Sequence, residues 1–169
     1  MKNIVLTGFM GTGKTSVARE LSSMLGMKIV DMDTEIEQEQ DCTISEIFAE
    51  HGEARFREIE SDMAIKVSGY DGVIISTGGG VVMKKENIDH LRKNGYIACL
   101  VASAEEILRR TSRSDERPLL KVDDPLKKIK ELLDYRMPYY RNADIMIETD
   151  GKTPRQVAEE IVDGLKWKK

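Results

Sequence analysis

One stretch constrains this chain more than any other, Gly8-Phe9-Met10-Gly11-Thr12-Gly13-Lys14-Thr15. Glycine, four residues, glycine, lysine and a hydroxyl make the phosphate-loop pattern, which works only between a buried strand and the first turn of a helix. Both neighbours are present. Residues 3–7, Asn-Ile-Val-Leu-Thr, form a short apolar run with β-branched members, the signature of a buried strand. Residues 14–25 place Val17, Leu21, Met24 and Leu25 on one helical face. Backbone N–H groups of such a loop converge on phosphate oxygens, and the helix N-terminus adds partial positive charge. Gly11, Thr12, Gly13, Lys14, Thr15 and Ser16 are therefore the expected nucleotide-binding residues. Lys14 neutralises the β- and γ-oxygens, and Thr15 offers its hydroxyl to Mg²⁺.

The rest of the chain repeats the alternation of strand and helix. Strands are expected at 28–31, 73–76, 96–102 and, more weakly, 144–147. Between the second and third strands the pattern gives two helical stretches, the latter over about 52–67, and Thr43 with Glu46 forms a capping box for the former. Ser103 with Glu106 opens a helix to about residue 111, and another runs over 125–139. Thr153 caps a last helix with Pro154 at its first position and Val157, Ala158, Ile161, Val162 and Leu165 on one face. This order predicts a single α/β domain over 1–169, with a parallel sheet covered by helices on both faces.

Composition narrows the function classes. Hydrophobic content of 40% and charged content of 33% describe a globular, well-solvated chain. A formal net charge of −4 argues against a surface built for nucleic acid or anionic lipid. The longest apolar runs, such as 96–102, fall far short of a membrane span. No secretory leader precedes the first motif, so the expected compartment is the cytoplasm. The two cysteines, Cys42 and Cys99, fit no metal or redox spacing, and Cys99 reads as a buried free thiol. His51 and His90 have no neighbours suggesting metal or acid–base work, and Trp167 lies in a basic tail.

A phosphate loop implies a nucleotide but not the use made of it. Asp31-Met32-Asp33 ends the second strand; in extended backbone, residues two apart point the same way, here toward the crevice that holds the phosphates. Asp31 is read as holding the metal through water, and Asp33 as accepting a hydrogen bond from the hydroxyl to be phosphorylated. Glu53, Arg57 and Glu60 share one helical face. They are either a surface ion-pair ladder or a carboxylate-gripping arginine held rigid by its neighbours. Arg109, Arg110, Arg113, Arg117 and Arg136 follow, and the polar break at 112–124 is either a lid that closes over phosphates or a charged surface loop. The triplet Gly78-Gly79-Gly80 after the third strand is either a tight turn or a place of close approach.

Taken together these motifs resemble the shikimate kinase family over essentially the whole chain. The phosphate loop, Asp31-x-Asp33, Gly52-Glu53-x-x-Phe56-Arg57-x-x-Glu60, Gly78-Gly79-Gly80, Arg117-Pro118-Leu119-Leu120 and Arg136-x-Pro138-x-Tyr140 agree in order and spacing. The resemblance implies a P-loop three-layer α/β/α fold with a five-stranded parallel sheet, substrate-binding helices over about 33–62 and a mobile lid over about 112–124. It implies transfer of the γ-phosphoryl of ATP to shikimate with Mg²⁺, in a cytoplasmic monomer without nucleic-acid or membrane partners. Asp33, Arg57, Gly78, Gly79, Gly80 and Arg136 would bind shikimate, the two arginines clamping its carboxylate. Lys14, Asp33 and Arg117 would be catalytic, Thr15 and Asp31 would hold the metal, and Arg110 would stack on adenine near Lys152 and Pro154. The strand before the triplet ends in Ser76, where many P-loop proteins place a metal-binding Asp. The alternatives are another small P-loop kinase, acting on gluconate or a nucleoside monophosphate, and a nucleotide-binding sensor without catalysis.

Overall fold

The structure, a computed structural model, describes residues 2–112 and 122–166. Its first strand, β1 (Asn3–Gly8), is buried along its whole length. Ile4 and Leu6 pack into one apolar cluster and Val5 into another, so period-2 side chains feed a core on each face. Four further strands complete the sheet: β2 (Lys28–Asp31), β3 (Val73–Ser76), β4 (Gly95–Val101) and β5 (Ile145–Glu148). The order is β2-β3-β1-β4-β5, and every pairing is parallel.

Helices α1 (Lys14–Leu25) and α7 (Pro154–Lys166) cover one face, burying Val17, Leu21, Val157 and Ile161 against Leu6, Ala98 and Leu100. The other face is covered by α3 (Ile44–Ser68), α4 (Lys85–Lys93) and α6 (Pro125–Tyr140), through Ile47, Met63, Ile88, Leu91 and Ile129. Two shorter helices, α2 (Met32–Gln40) and α5 (Ala104–Thr111), and a single 3₁₀ turn over Val81–Met83 complete the element order. The expected five-stranded parallel α/β sandwich is what the chain forms. Because all strands run the same way, Gly8, Asp31 and Ser76 end at one edge of the sheet. The chain passes from β3 on one side of β1 to β4 on the other. That reversal opens a crevice above β1, where ligands of such sheets bind. Among the described residues no helix is long and apolar enough to cross a membrane.

Local structure departs from expectation in three places. Asp31 and Asp33 do not share a strand: Asp31 ends β2 and caps α2, its carboxylate accepting the Thr34 N–H at 3.0 Å, and Asp33 lies in the first helical turn. An aspartate preceding buried Met32 and Ile36 favours the cap over further extension. The helices on either side of residue 52 run on as one element, α3, broken by Gly52 at φ 80°, ψ 170°. Finally, the box at Ser103 is half made. Ser103 Oγ accepts the Glu106 N–H at 3.2 Å, but the Glu106 carboxylate turns to Arg109 and Arg110, and the Ser103 N–H donates to Asp150 instead. The box at Thr43 and Glu46 is complete, and Thr153 forms one with Gln156.

Candidate functional site

A cavity of about 1180 Å³ occupies the crevice. The phosphate loop, the start of α2, both halves of α3, the glycine triplet and α6 all contribute to its wall. A smaller hollow of about 330 Å³ adjoins it, lined by Thr12, Ser16, Arg110, Lys152 and Pro154 among others.

The phosphate loop is shaped by its own backbone. Gly8, Gly11 and Gly13 have φ of 138°, 79° and 94°, values that side chains with a Cβ rarely adopt. Thr12 is turned inward: its hydroxyl donates to the Phe9 carbonyl at 2.7 Å, and its N–H reaches the same oxygen at 3.3 Å. Its side chain therefore closes the loop. The Lys14 ammonium lies over the loop, donating to the carbonyls of Gly8 at 2.7 Å and Phe9 at 3.0 Å. Thr15 and Ser16 stand at the start of α1 and line the cavity with Gly11 and Gly13.

The glycine triplet faces four charged side chains. None of its members has positive φ, so it is not there to make a left-handed turn. Space decides instead. A Cβ on Gly78 would lie 3.1 Å from both Asp33 Oδ1 and Glu60 Oε2. One on Gly79 would lie 3.5 Å from Arg136 Nη1, and one on Gly80 only 2.3 Å from Arg57 Nη1. Bare backbone lets two acids and two arginines from α2, α3 and α6 close on one point. Sequence left a turn and a close approach open; the triplet is both, a tight turn closed by the Val81 N–H donating to the Gly78 carbonyl at 3.3 Å and a place where charged side chains approach closely.

Arg57 makes the ion-pair ladder that its spacing allowed. It pairs with Glu60 at 2.9 Å and with exposed Glu53 at 3.3 Å, and Arg57 and Glu60 line the cavity. Glu60 is 2% exposed, and burial raises its pKa against the opposing pull of Arg57. Removing either partner of a buried pair strands the other, so the ladder is also the frame that fixes the guanidinium. Arg136 is 4% exposed and stacks over the Phe9 ring at 5.6 Å. Among the described residues no carboxylate lies within ion-pair distance of it, and its Nε, like that of Arg57, is buried without a partner. A buried guanidinium and a half-buried one flanking one backbone segment suit a planar anion.

Across the cavity Asp33 is unusual. Burial, then the carboxylates of Asp31 and Glu60, push its pKa up to about 6, with Lys14 pulling the other way. A carboxylate poised in that range can take up a proton near neutral pH. Thr15, Asp31, Ser76 and Thr77 all line the cavity, and Asp31 pairs in register with Ser76. These are hard oxygen donors of the kind Mg²⁺ takes. Among the described residues no group of three or more His, Cys, Asp or Glu could hold a metal unaided.

Arg110 sits between the two hollows. It donates to Glu106 at 2.8 Å, to the Gly11 carbonyl at 3.2 Å and to Thr149 Oγ1 at 3.1 Å. Sequence reasoning missed Glu106 and Thr149 as its holders; the i, i+4 spacing of Glu106 and Arg110 was the available signal. It also missed the apolar wall of Ile44, Phe48 and Phe56, where Phe48 and Phe56 meet at 4.9 Å across the break at Gly52. Lys152 lines the smaller hollow and pairs with Glu160 at 2.8 Å. Arg113, Arg117, the 118–120 stretch and Trp167 lie outside the described residues, and with them most of the expected lid.

Residues 10–166 match the family described as shikimate kinase. Shikimate kinases of Thermodesulfovibrio yellowstonii and Caldicellulosiruptor bescii are 50% and 49% identical to this chain, each over 96% of it and 94% of their own length. The structure of Acinetobacter baumannii shikimate kinase in complex with shikimate superposes with a TM-score of 0.95 at 36% identity, covering 100% of this chain and 95% of that one.

Proposed function

This chain belongs to the shikimate kinase family, and from that premise we propose how its residues divide the transfer of the γ-phosphoryl of ATP to the 3-hydroxyl of shikimate. The observation that carries the division is the meeting of Arg57 and Arg136 at the glycine triplet, opposite Asp33. The two guanidiniums take the carboxylate of shikimate, and the backbone of Gly78, Gly79 and Gly80 lets its ring lie close. The apolar wall of Ile44, Phe48 and Phe56 lines the same cavity. These helical elements, over about 33–62, form the acceptor side of the site.

Asp33 holds the attacking hydroxyl and receives its proton as the new oxygen–phosphorus bond forms. The bond from the γ-phosphorus to the β–γ bridging oxygen breaks, and ADP leaves with that electron pair. Lys14 and the N-terminus of α1 neutralise charge on the phosphate oxygens. Gly11, Thr12, Gly13, Thr15 and Ser16 complete the cradle. Arg117, outside the described residues, is the further cation expected at the phosphates. Arg110, Lys152 and Pro154 line the smaller hollow, which we assign to adenine. Mg²⁺, held by Thr15 and through water by Asp31 with phosphate oxygens supplying its remaining ligands, would neutralise charge shared by the β- and γ-phosphates.

One coupled assay of ADP release tests this reading against its alternatives, with shikimate, gluconate and AMP as acceptors. Shikimate-dependent ADP formation is expected. Faster turnover of gluconate or AMP would redraw the acceptor site, ADP release indifferent to all three would mean hydrolysis with water as the acceptor, and no ADP with any of them would remove the catalytic reading.

A further inference from the structure

Neither Pro138 nor Tyr140, which share a motif with Arg136, is needed by the division of labour above. Tyr140 lies one helical turn beyond Arg136 on α6, 1% exposed in the core beneath the cavity. Its hydroxyl donates to the Gly79 carbonyl at 2.7 Å, a short bond linking residues 61 apart in sequence. Burial pushes the phenol pKa up to about 12, so it remains a donor throughout the working range. Pro138 lies between the two inside the helix and brings no N–H of its own.

A trans peptide is planar, with the carbonyl of one residue and the N–H of the next pointing in opposite directions. Fixing the Gly79 carbonyl toward buried Tyr140 therefore turns the Gly80 N–H away from the core. Both glycines line the cavity. Among the described residues neither the Gly79 nor the Gly80 N–H donates to a protein acceptor. This peptide is the centre of a turn closed by the Val81 N–H donating to the Gly78 carbonyl at 3.3 Å; with glycine on both sides it can flip within that turn, because φ of either sign is open to glycine. We propose that Tyr140 is a positioning residue: its hydroxyl locks the Gly79–Gly80 peptide so that the Gly80 N–H meets the acceptor substrate. Carrying Arg136 and this latch on one helix aligns the guanidinium and the peptide together.

The inference rests on the reading of shikimate as acceptor, and the experiment separates the two. Wild-type protein and Tyr140→Phe are assayed side by side for kcat and KM of shikimate and of ATP, with thermal denaturation as the check on folding. In the variant, KM for shikimate should rise roughly five- to tenfold, the worth of one buried hydrogen bond, with KM for ATP within about twofold. A wild-type protein inert toward shikimate would defeat the acceptor reading. An active wild type whose folded Tyr140→Phe variant keeps both constants within about twofold would defeat the latch.

A second measurement needs no variant. Adjacent glycines occur in this sequence only in the triplet, so labelling glycine with ¹³C at the carbonyl and ¹⁵N isolates the Gly79 and Gly80 amides in a carbonyl-correlated NMR spectrum. The Gly80 amide should move on titration with shikimate. If it stays in place while shikimate binds, the proposal is wrong.

Discussion

Gly80 lies against the Arg57 guanidinium so closely that a methyl group on its Cα would sit 2.3 Å from Nη1 and 2.6 Å from Cζ. Its own φ is −99°, open to any residue, so alanine would be refused by the neighbour and not by the backbone. Gly80→Ala should therefore fold and displace Arg57. KM for shikimate is expected to rise about tenfold or more while KM for ATP stays near wild type, read from steady-state kinetics with each substrate varied in turn.

Replacing Arg57 or Arg136 with lysine keeps the charge and removes the fork. A lost hydrogen bond to a charged group is worth about 1.5–3 kcal/mol, or roughly ten- to a hundredfold in affinity. Shikimate binding should weaken on that scale in each variant, with ATP affinity unmoved. The methyl ester of shikimate serves as control, because it should be a poor substrate for wild type and lose little more in the variants. An ester handled as well as the acid would show that the arginines do not read the carboxylate.

Asp33 should give the pH profile its acid limb. With its pKa near 6, the carboxylate is protonated below that pH and cannot accept from the hydroxyl, so kcat/KM for shikimate should fall about tenfold per unit there. Asp33→Asn should lose most of kcat and abolish the limb. The same group also opposes folding. Its folded pKa lies above the ordinary value of 3.8, so the folded state binds the proton more tightly and stability declines as pH rises from about 4 to 6. Asp33→Asn should thus be more stable than wild type by about 1–3 kcal/mol at pH 8 and similar to it at pH 4, measured by urea denaturation.

Gly52 should be limited by its backbone alone. At φ 80°, ψ 170° it occupies a region open essentially to glycine, yet nothing lies within 4 Å of where its Cβ would be. Gly52→Ala should cost about 1–3 kcal/mol of stability. Because the break lets Phe48 meet Phe56 and sets the start of the segment carrying Arg57, KM for shikimate should rise as well. Denaturation midpoints with and without shikimate would check both effects.

Much of this protein was legible in order of residues. The phosphate loop, its flanking strand and helix, and the caps at Thr43 and Thr153 depend on groups a few residues apart, and so does the Glu53–Arg57–Glu60 frame. Alternation of apolar strands with amphipathic helices fixed a parallel sheet, because only a sheet covered on both faces buries such strands. Family resemblance then supplied the site residues that spacing could not choose between. What tertiary structure decided was convergence. Asp31 and Asp33 reach one wall as a helix cap and a first-turn residue, not as strand neighbours, since capping is settled by whether the following turn can bury Met32 and Ile36. Gly78, Gly79 and Gly80 are glycines because Asp33, Glu60, Arg136 and Arg57 arrive there from α2, α3 and α6, separated from them by up to dozens of residues. Local sequence records that a close approach is permitted at the triplet; only the packed fold brings up the groups that make it.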